Sequence, residues 1–229
     1  MKTEAIKPVG RRQENSRRQR SAILAAAVSV FSQKGFHTAE VGEIAKRAGV
    51  GKGTIYLYFE DKSQLFAAAV AEGIESIIKQ LRGELESDLP FLRHLRRLVE
   101  KNVSLYLESG DLTRIFHNEL SRGIERRSRD QIDRARSRYL DFISATLADG
   151  HRLGYLRKAD FDLAAVGLVG MLDSLCNHQL HNSGRVTQDQ IVNTVFELLA
   201  VGMIEKERSR KAPALRPAAA GKNFSGGKR

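Results

Sequence analysis

The tripeptide Gly49-Val50-Gly51 constrains this chain more than any other feature. Ahead of it, Val41, Ile44, Ala45 and Ala48 fall at i, i+3, i+4 and i+7, which gives a short helix one apolar face. Glycine takes the left-handed conformation that ends helices, so this one stops there. A second short helix is predicted over 52–59, with Ile55 and Phe59 facing inward and Asp61 placed to cap a third helix starting near Lys62. Two short helices joined by a three-residue glycine turn make a helix-turn-helix, whose second helix can enter the major groove. Upstream, Ile23, Leu24, Ala27, Val30 and Phe31 stripe a helix over 17–34 that Gly35 stops, with Phe36 as a core plug. That helix packs across the two short ones and completes a three-helix unit.

Within the second helix, each side chain has a role that its chemistry suggests. Lys52 suits a phosphate or a guanine, and Gly53 and Thr54 lie at the first turn, where backbone N–H groups face DNA. Tyr56 and Tyr58 fall off the Ile55/Phe59 face, so DNA contact is expected of both, by hydroxyl to phosphate or ring to thymine methyl.

The run G-F, seven residues, I-A-x-x-A-G-V, then K-G-T-I-Y-x-Y-F-x-x-K and L-F resembles the amino-terminal signature of TetR-family transcriptional repressors, without a gap over residues 22–66. The resemblance implies that Lys62 binds phosphate and that a linker helix leads into a larger all-helical regulatory domain, with two helices per chain forming a four-helix dimer interface. Two positions depart from the family pattern: Ala39 and Gly51 stand where Thr or Ser, and Ser, are usual. Thr38 or Glu40 takes over the first cap, and Thr38 joins the DNA-contact set. A hydroxyl-to-phosphate contact is missing at each altered position.

Charge is unevenly distributed. The net charge is +11, of which residues 1–20 carry +5 and residues 205–229 carry +6, so the stretch between sums to zero. Both ends are poor in apolar residues and read as disordered: a basic arm at 1–16 and a basic tail at 209–229. The tail reads as solubilising. The arm leads into the first helix, so Arg11, Arg12, Arg17, Arg18 and Arg20 either reach phosphates and a minor groove or simply solubilise. No stretch approaches a membrane span, the amino terminus lacks an apolar signal core, and the one cysteine, Cys176, forms no internal disulfide. A cytoplasmic location is therefore expected.

The expected organisation is all-α, with about nine helices read from their periodicity. A helix-turn-helix domain occupies 17–62, a linker helix runs to about 86, and a regulatory and dimerisation domain occupies 87–208. Its helices are predicted over 90–109, 112–120, 125–149, 161–181 and 189–207. In 125–149, Asp130, Asp133 and Asp141 interleave with arginines, which reads as an ion-paired, solvated face. Gly150 and Gly154 close that helix, Asp160 or Asp162 caps the next, and Thr187 with Gln190 forms a capping box.

Val166, Gly167, Gly170 and Met171, with Val195, Leu198, Leu199 and Gly202, are assigned to the dimer interface, ordinary intrachain packing being the other reading. Tyr106, Phe116, Tyr139 and Phe142, with His117, Asp173 and His178 as polar anchors, are candidates to line an apolar effector pocket, an ordinary core being equally open. Cys176, His178 and His181 lie close in sequence without making a metal motif, and no cofactor is expected. No catalytic motif is present, and GVGKGT lacks the strand and leading glycine of a phosphate loop. The expected function is a homodimeric regulator that binds a palindromic operator in double-stranded DNA, represses transcription, and is released by a small-molecule effector. The alternative is a nucleoid-type protein that binds DNA without sequence preference.

Overall fold

The structure, a computed structural model, describes residues 9–85, 89–108, 125–182 and 186–204. The predicted helix over 112–120, with Phe116 and His117, lies outside the described residues, as does the tail at 209–229.

The described residues form eight helices and no strand: α1 Val9–Thr38, α2 Val41–Ala48, α3 Lys52–Tyr56, α4 Lys62–Glu84, α5 Phe91–Glu108, α6 Arg126–Arg152, α7 Phe161–His181 and α8 Gln188–Gly202. The architecture is the expected all-α one. None of these helices is long and apolar enough to cross a membrane.

Several boundaries differ from the sequence reading. Residues 9–16, expected as part of a disordered arm, are helical. Polar contacts hold them: Arg18 pairs with Glu14 at 2.7 Å, and Ser16 Oγ lies 3.1 Å from the Tyr58 hydroxyl. Gly35 (φ 76°, ψ 167°) breaks the path of α1 as anticipated, and residues 36–38 add a further helical turn. The recognition helix α3 ends at Tyr56 rather than at 59, because the chain tightens into a turn in which Tyr58 N–H and Phe59 N–H both donate to the Ile55 carbonyl. Helix α8 ends at Gly202. There Arg157 N–H donates to Met203 O at 2.8 Å, and the Arg157 guanidinium donates to the carbonyls of Val201 and Gly202. A cation on the last carbonyls is a favourable helix stop.

Predicted caps recur as bonds. Asp61 accepts from Gln64 N–H at 2.7 Å, Asp160 accepts from Leu163 N–H at 3.0 Å, and Thr187 and Gln190 make the full capping box.

Helix α4 organises the packing. Leu65, Phe66, Ala67, Ala68, Ala69, Val70 and Ala71 are all buried, because α1 covers one side of α4 while α5 and α6 cover others. Phe31, Phe36 and Phe66 close the joint between α1 and α4, with Phe66 edge-on to both at 5.0 and 5.1 Å. Beyond residue 71 only Ile74, Ile78 and Leu81 remain buried, an ordinary one-sided stripe.

Helix α6 corrects two expectations. Among the described residues its arginines pair with Glu60, Glu75 and Asp149, rather than with Asp130, Asp133 and Asp141. The helix also runs through Gly150, which was expected to end it; the turn comes at Gly154 (φ 78°). Gly150 serves close packing instead: a Cβ there would stand 2.2 Å from Phe91 Cζ and 2.9 Å from Leu156 Cδ1. Phe91 is buried and stacks on Tyr155 at 5.4 Å, so its ring has little room to retreat. Gly150→Ala is therefore expected to destabilise the fold by about 1–3 kcal/mol through overpacking. An unchanged urea midpoint would show that the ring yields freely.

Candidate nucleic-acid interface and regulatory core

The turn between α2 and α3 is built by backbone alone. Gly49 (φ 68°, ψ 29°) is left-handed, its N–H meets Lys46 O at 3.2 Å, and Val50 N–H meets Ala45 O at 3.0 Å. These two bonds satisfy the last carbonyls of α2 and fix the exit direction of the chain. Gly51 is the extended N-cap of α3, and Thr54 N–H donates to its carbonyl at 2.9 Å. Ile55 and Phe59 are buried beneath, which leaves Lys52, Gly53 and Tyr56 exposed and Thr54 half-buried on the outer side.

The remaining predicted DNA contacts are distributed differently. The Tyr58 ring is half-buried against the core, and its hydroxyl meets Ser16 Oγ at 3.1 Å and donates to Gln19 Oε1 at 3.0 Å. Lys62 Nζ donates to His37 O at 3.0 Å and sits 4.9 Å from the centre of the Phe36 ring, so it joins the start of α4 to the end of α1. Thr38 and Arg17 are exposed, and Arg18 is exposed beside Glu14. Glu40, with no side-chain bond, occupies the α2 cap, and Ala39 beside it is buried. Sequence reasoning passed over Leu57 and the exposed Lys46 and Arg47 that end α2. Their signal was position alone, next to the turn and to the recognition helix.

In the regulatory region α5, α6 and α7 bring four of the predicted pocket residues into one neighbourhood. The Tyr106 hydroxyl donates to Asp173 O at 3.1 Å, and Asn102 Nδ2 donates to the Tyr139 hydroxyl. Phe142, buried one turn after Tyr139, has the Arg82 guanidinium 5.7 Å from its ring centre. Burial pushes both phenols well above the usual tyrosine range, with the charge of Asp173 adding to the effect. The same two causes push the buried Cys176 thiol up to about 12. Three titratable hydroxyl and thiol groups on α5, α6 and α7 are thereby held in their neutral forms. His178 does not join them; it is exposed, beside Asn182. Separately, Glu84, Arg97, Glu100, Lys101, Ser104 and Gln188 line a polar surface groove of about 300 Å³.

The residues assigned to a dimer face divide into two groups. Val195 and Leu199 are buried in the chain's own core, because α8 turns that side toward α5. Val166, Gly167, Gly170, Leu198 and Gly202 are exposed, and Met171 is half-buried. Leu163 and Val201, unassigned from sequence, belong with the exposed group. Leu163, Val166, Leu198 and Val201 are each more than half exposed, on two helices that pack side by side.

Comparison with known proteins matches this geometry. The model for bacterial regulatory proteins of the tetR family matches residues 23–69, and that for the tetracyclin repressor-like C-terminal domain matches residues 89–203. The fatty acid metabolism regulator protein of Bacillus subtilis (strain 168) is 28% identical over 185 residues, covering 80% of this chain and 95% of that protein. The uncharacterised HTH-type transcriptional regulator YdgC of the same organism is 31% identical, covering 82% and 93%. Among solved structures, the transcriptional regulator FadR from Bacillus subtilis, in complex with stearoyl-CoA, superposes with a TM-score of 0.70 at 27% identity, covering 80% of this chain and 98% of that one. With both halves matched in order by family models, and relatives aligned over nearly their whole length, the chain belongs to the TetR family of DNA-binding transcriptional regulators.

Proposed function

We propose that this regulator is a homodimeric repressor of the bacterial cytoplasm that binds a palindromic operator and leaves it when a long-chain acyl thioester binds. The observation that carries the DNA half is the face of α3. Lys52, Gly53 and Tyr56 stand exposed on a helix whose approach from α2 is set by backbone bonds at Gly49 and Val50. Thr54, Thr38, Arg17 and Arg18 supply further phosphate-directed groups, whereas Tyr58 and Lys62 reach phosphate only by giving up their bonds to Gln19 and to the His37 carbonyl.

Dimerisation is supported by the exposed apolar face of α7 and α8. Four large aliphatic side chains on adjacent helices make a patch of the kind that marks an interface. Two copies related by a two-fold axis cover it with itself. The effector class is supported by the likeness to FadR in complex with stearoyl-CoA, and by an interior in which Tyr106, Tyr139 and Phe142 offer apolar surface around a few polar groups. Seating a ligand there requires these side chains to part. Any release also requires the ligand to favour the state that cannot bind DNA, typically by about 1–3 kcal/mol.

Selection from random duplexes tests the reading as a whole. The expected product is one palindrome with half-sites about 10–10.5 bp apart or a multiple. Stearoyl-CoA should then lower operator affinity, and operator should lower stearoyl-CoA affinity by the same factor. Protection without a preferred site would return the protein to the nucleoid-type reading. Equal thioester affinity with and without operator would remove that effector class.

Two sets of variants probe the parts. Val166→Glu is expected to give monomers in sedimentation and to abolish binding to the full palindrome while leaving helix content unchanged. A Val166→Glu dimer would place the interface elsewhere. Tyr56→Ala should shift sequence preference at unchanged stability, whereas Tyr58→Phe should cost roughly 0.5–1.5 kcal/mol in unfolding because its hydroxyl is bonded to α1. Identical unfolding curves for Tyr58→Phe and wild type would show those bonds to be idle.

A further inference from the structure

We propose that Leu57 is a base-reading residue, and that Gly53, Tyr56 and Leu57 together form a notch that receives the C5-methyl group of a thymine in the operator. The inference rests on the DNA-binding role of α3 and adds a specificity determinant to it.

Two independent observations carry it. The first is exposure. Leu57 is 83% exposed, more than any other large hydrophobic side chain among the described residues, and Tyr56 beside it is 46% exposed. An aliphatic side chain left in water gains nothing for the fold. The other strongly exposed aliphatics, Leu163, Val166, Leu198 and Val201, lie on the face of α7 and α8. Leu57 lies instead at the end of the recognition helix, with helical backbone (φ −73°, ψ −22°) and its N–H on Thr54 O.

The second observation is Gly53. Its backbone has no positive φ, and a Cβ built there meets nothing within 4 Å. Neither conformation nor packing within the protein calls for glycine. A bare backbone on an exposed helical turn leaves room for something outside the protein to come close. Residues 53, 56 and 57 stand at i, i+3 and i+4, which places them on one face of the helix. That face is then a floor without a side chain, bounded by an aromatic ring and an isobutyl group.

The chemistry of the occupant follows. In the major groove the base edges present hydrogen-bond donors and acceptors, and the one apolar group among them is the thymine methyl. Leu57 carries no donor or acceptor, so it can discriminate only through that methyl. Lys52, exposed one turn away from Tyr56, is left to meet phosphate or guanine.

The test uses the full-length protein and an operator obtained by selection from random duplexes. Each thymine of the half-site is replaced in turn by deoxyuridine, which removes the methyl group and nothing else. At one symmetry-related thymine the wild type is expected to lose about fourfold in affinity, the value of one buried methyl group. Leu57→Ala should bind the thymine operator more weakly, and at that position it should no longer distinguish thymine from deoxyuridine. Its affinity for random DNA and its thermal midpoint should stay at wild-type values.

Gly53→Ala provides a second arm with opposite signs. It should raise the thermal midpoint, since alanine is the better helix former, while weakening operator binding. Retained discrimination in Leu57→Ala, a selected half-site without thymine, or a Gly53→Ala protein with undiminished affinity would each overturn the proposal. Selection that yields no preferred site at all would overturn the operator reading itself, an outcome distinct from any of these.

Discussion

Seven consecutive buried residues at the start of α4 are what the rest of the molecule depends on. A helix can bury all of its circumference only if neighbours approach from every side, and close approach needs small side chains. Residues 67–69 and 71 are alanines, so α1 can lie against one side while α5 and α6 lie against others. The bulk needed to fill the joint comes from three phenylalanines, Phe31 and Phe36 stacked on one another and Phe66 edge-on to both. The DNA-binding unit and the regulatory helices therefore share one continuous core, and α4 belongs to both.

The parts of the fold written in local chemistry were legible in the sequence. Gly49 requires a left-handed turn, and Asp61, Asp160 and Thr187 announce helix starts with side chains that bond within three residues. The missed features are long-range. No apolar stripe runs through residues 9–16, and the described ties there are polar, Ser16 to Tyr58 across the fold and Glu14 to Arg18 within α1. Gly150 reads as a helix stop in isolation, and only the position of the Phe91 ring, 59 residues earlier in the chain, explains it. Ion pairs of α6 read as local from the spacing of Asp130 and Asp133, whereas Arg138 reaches across to Glu75 on α4.

The candidate sites divide in the same way. The reading face of α3 was legible because one turn of helix has only one side left once Ile55 and Phe59 are assigned inward. On α8 the apolar stripe is too broad to say which half faces in. Val195 and Leu199 were separated from Leu198 and Gly202 only when α5 was seen against them. The neighbourhood of Tyr106, Tyr139 and Asp173 needed three helices to be placed, so its residues could be nominated from sequence but not assembled. Leu57 was given no role from sequence, because the polar handles of the two tyrosines beside it drew the assignment of DNA contacts and an aliphatic side chain carries none.

Magnitudes decide how motion in the regulatory core can reach the DNA. Allosteric coupling is typically about 1–3 kcal/mol. Prising α4 from α1 at Phe66 would expose several buried aromatic and alanine side chains, at a cost of about 1.5–3 kcal/mol for one such large side chain alone. The DNA-binding unit and the first half of α4 must therefore move as one body. Beyond residue 71 the contacts are softer. Ile74, Ile78 and Leu81 hold a single stripe, and Arg138–Glu75 there, like Arg127–Glu60 at the other end of α4, is an exposed pair worth roughly 0–1 kcal/mol. Arg127 sits in the first turn of α6 and Glu60 immediately before the α4 cap, so this weak pair lies where a regulatory helix meets the reading head. A displacement of α6 that keeps the buried stripe of Ile74, Ile78 and Leu81 covered breaks only such exposed pairs, at a cost within the allosteric range, whereas parting α1 from α4 at Phe66 is not so cheap. The stiff joint and the soft one lie on the same helix, and in that order a moving α6 would turn the recognition helix as a unit instead of detaching it from α4.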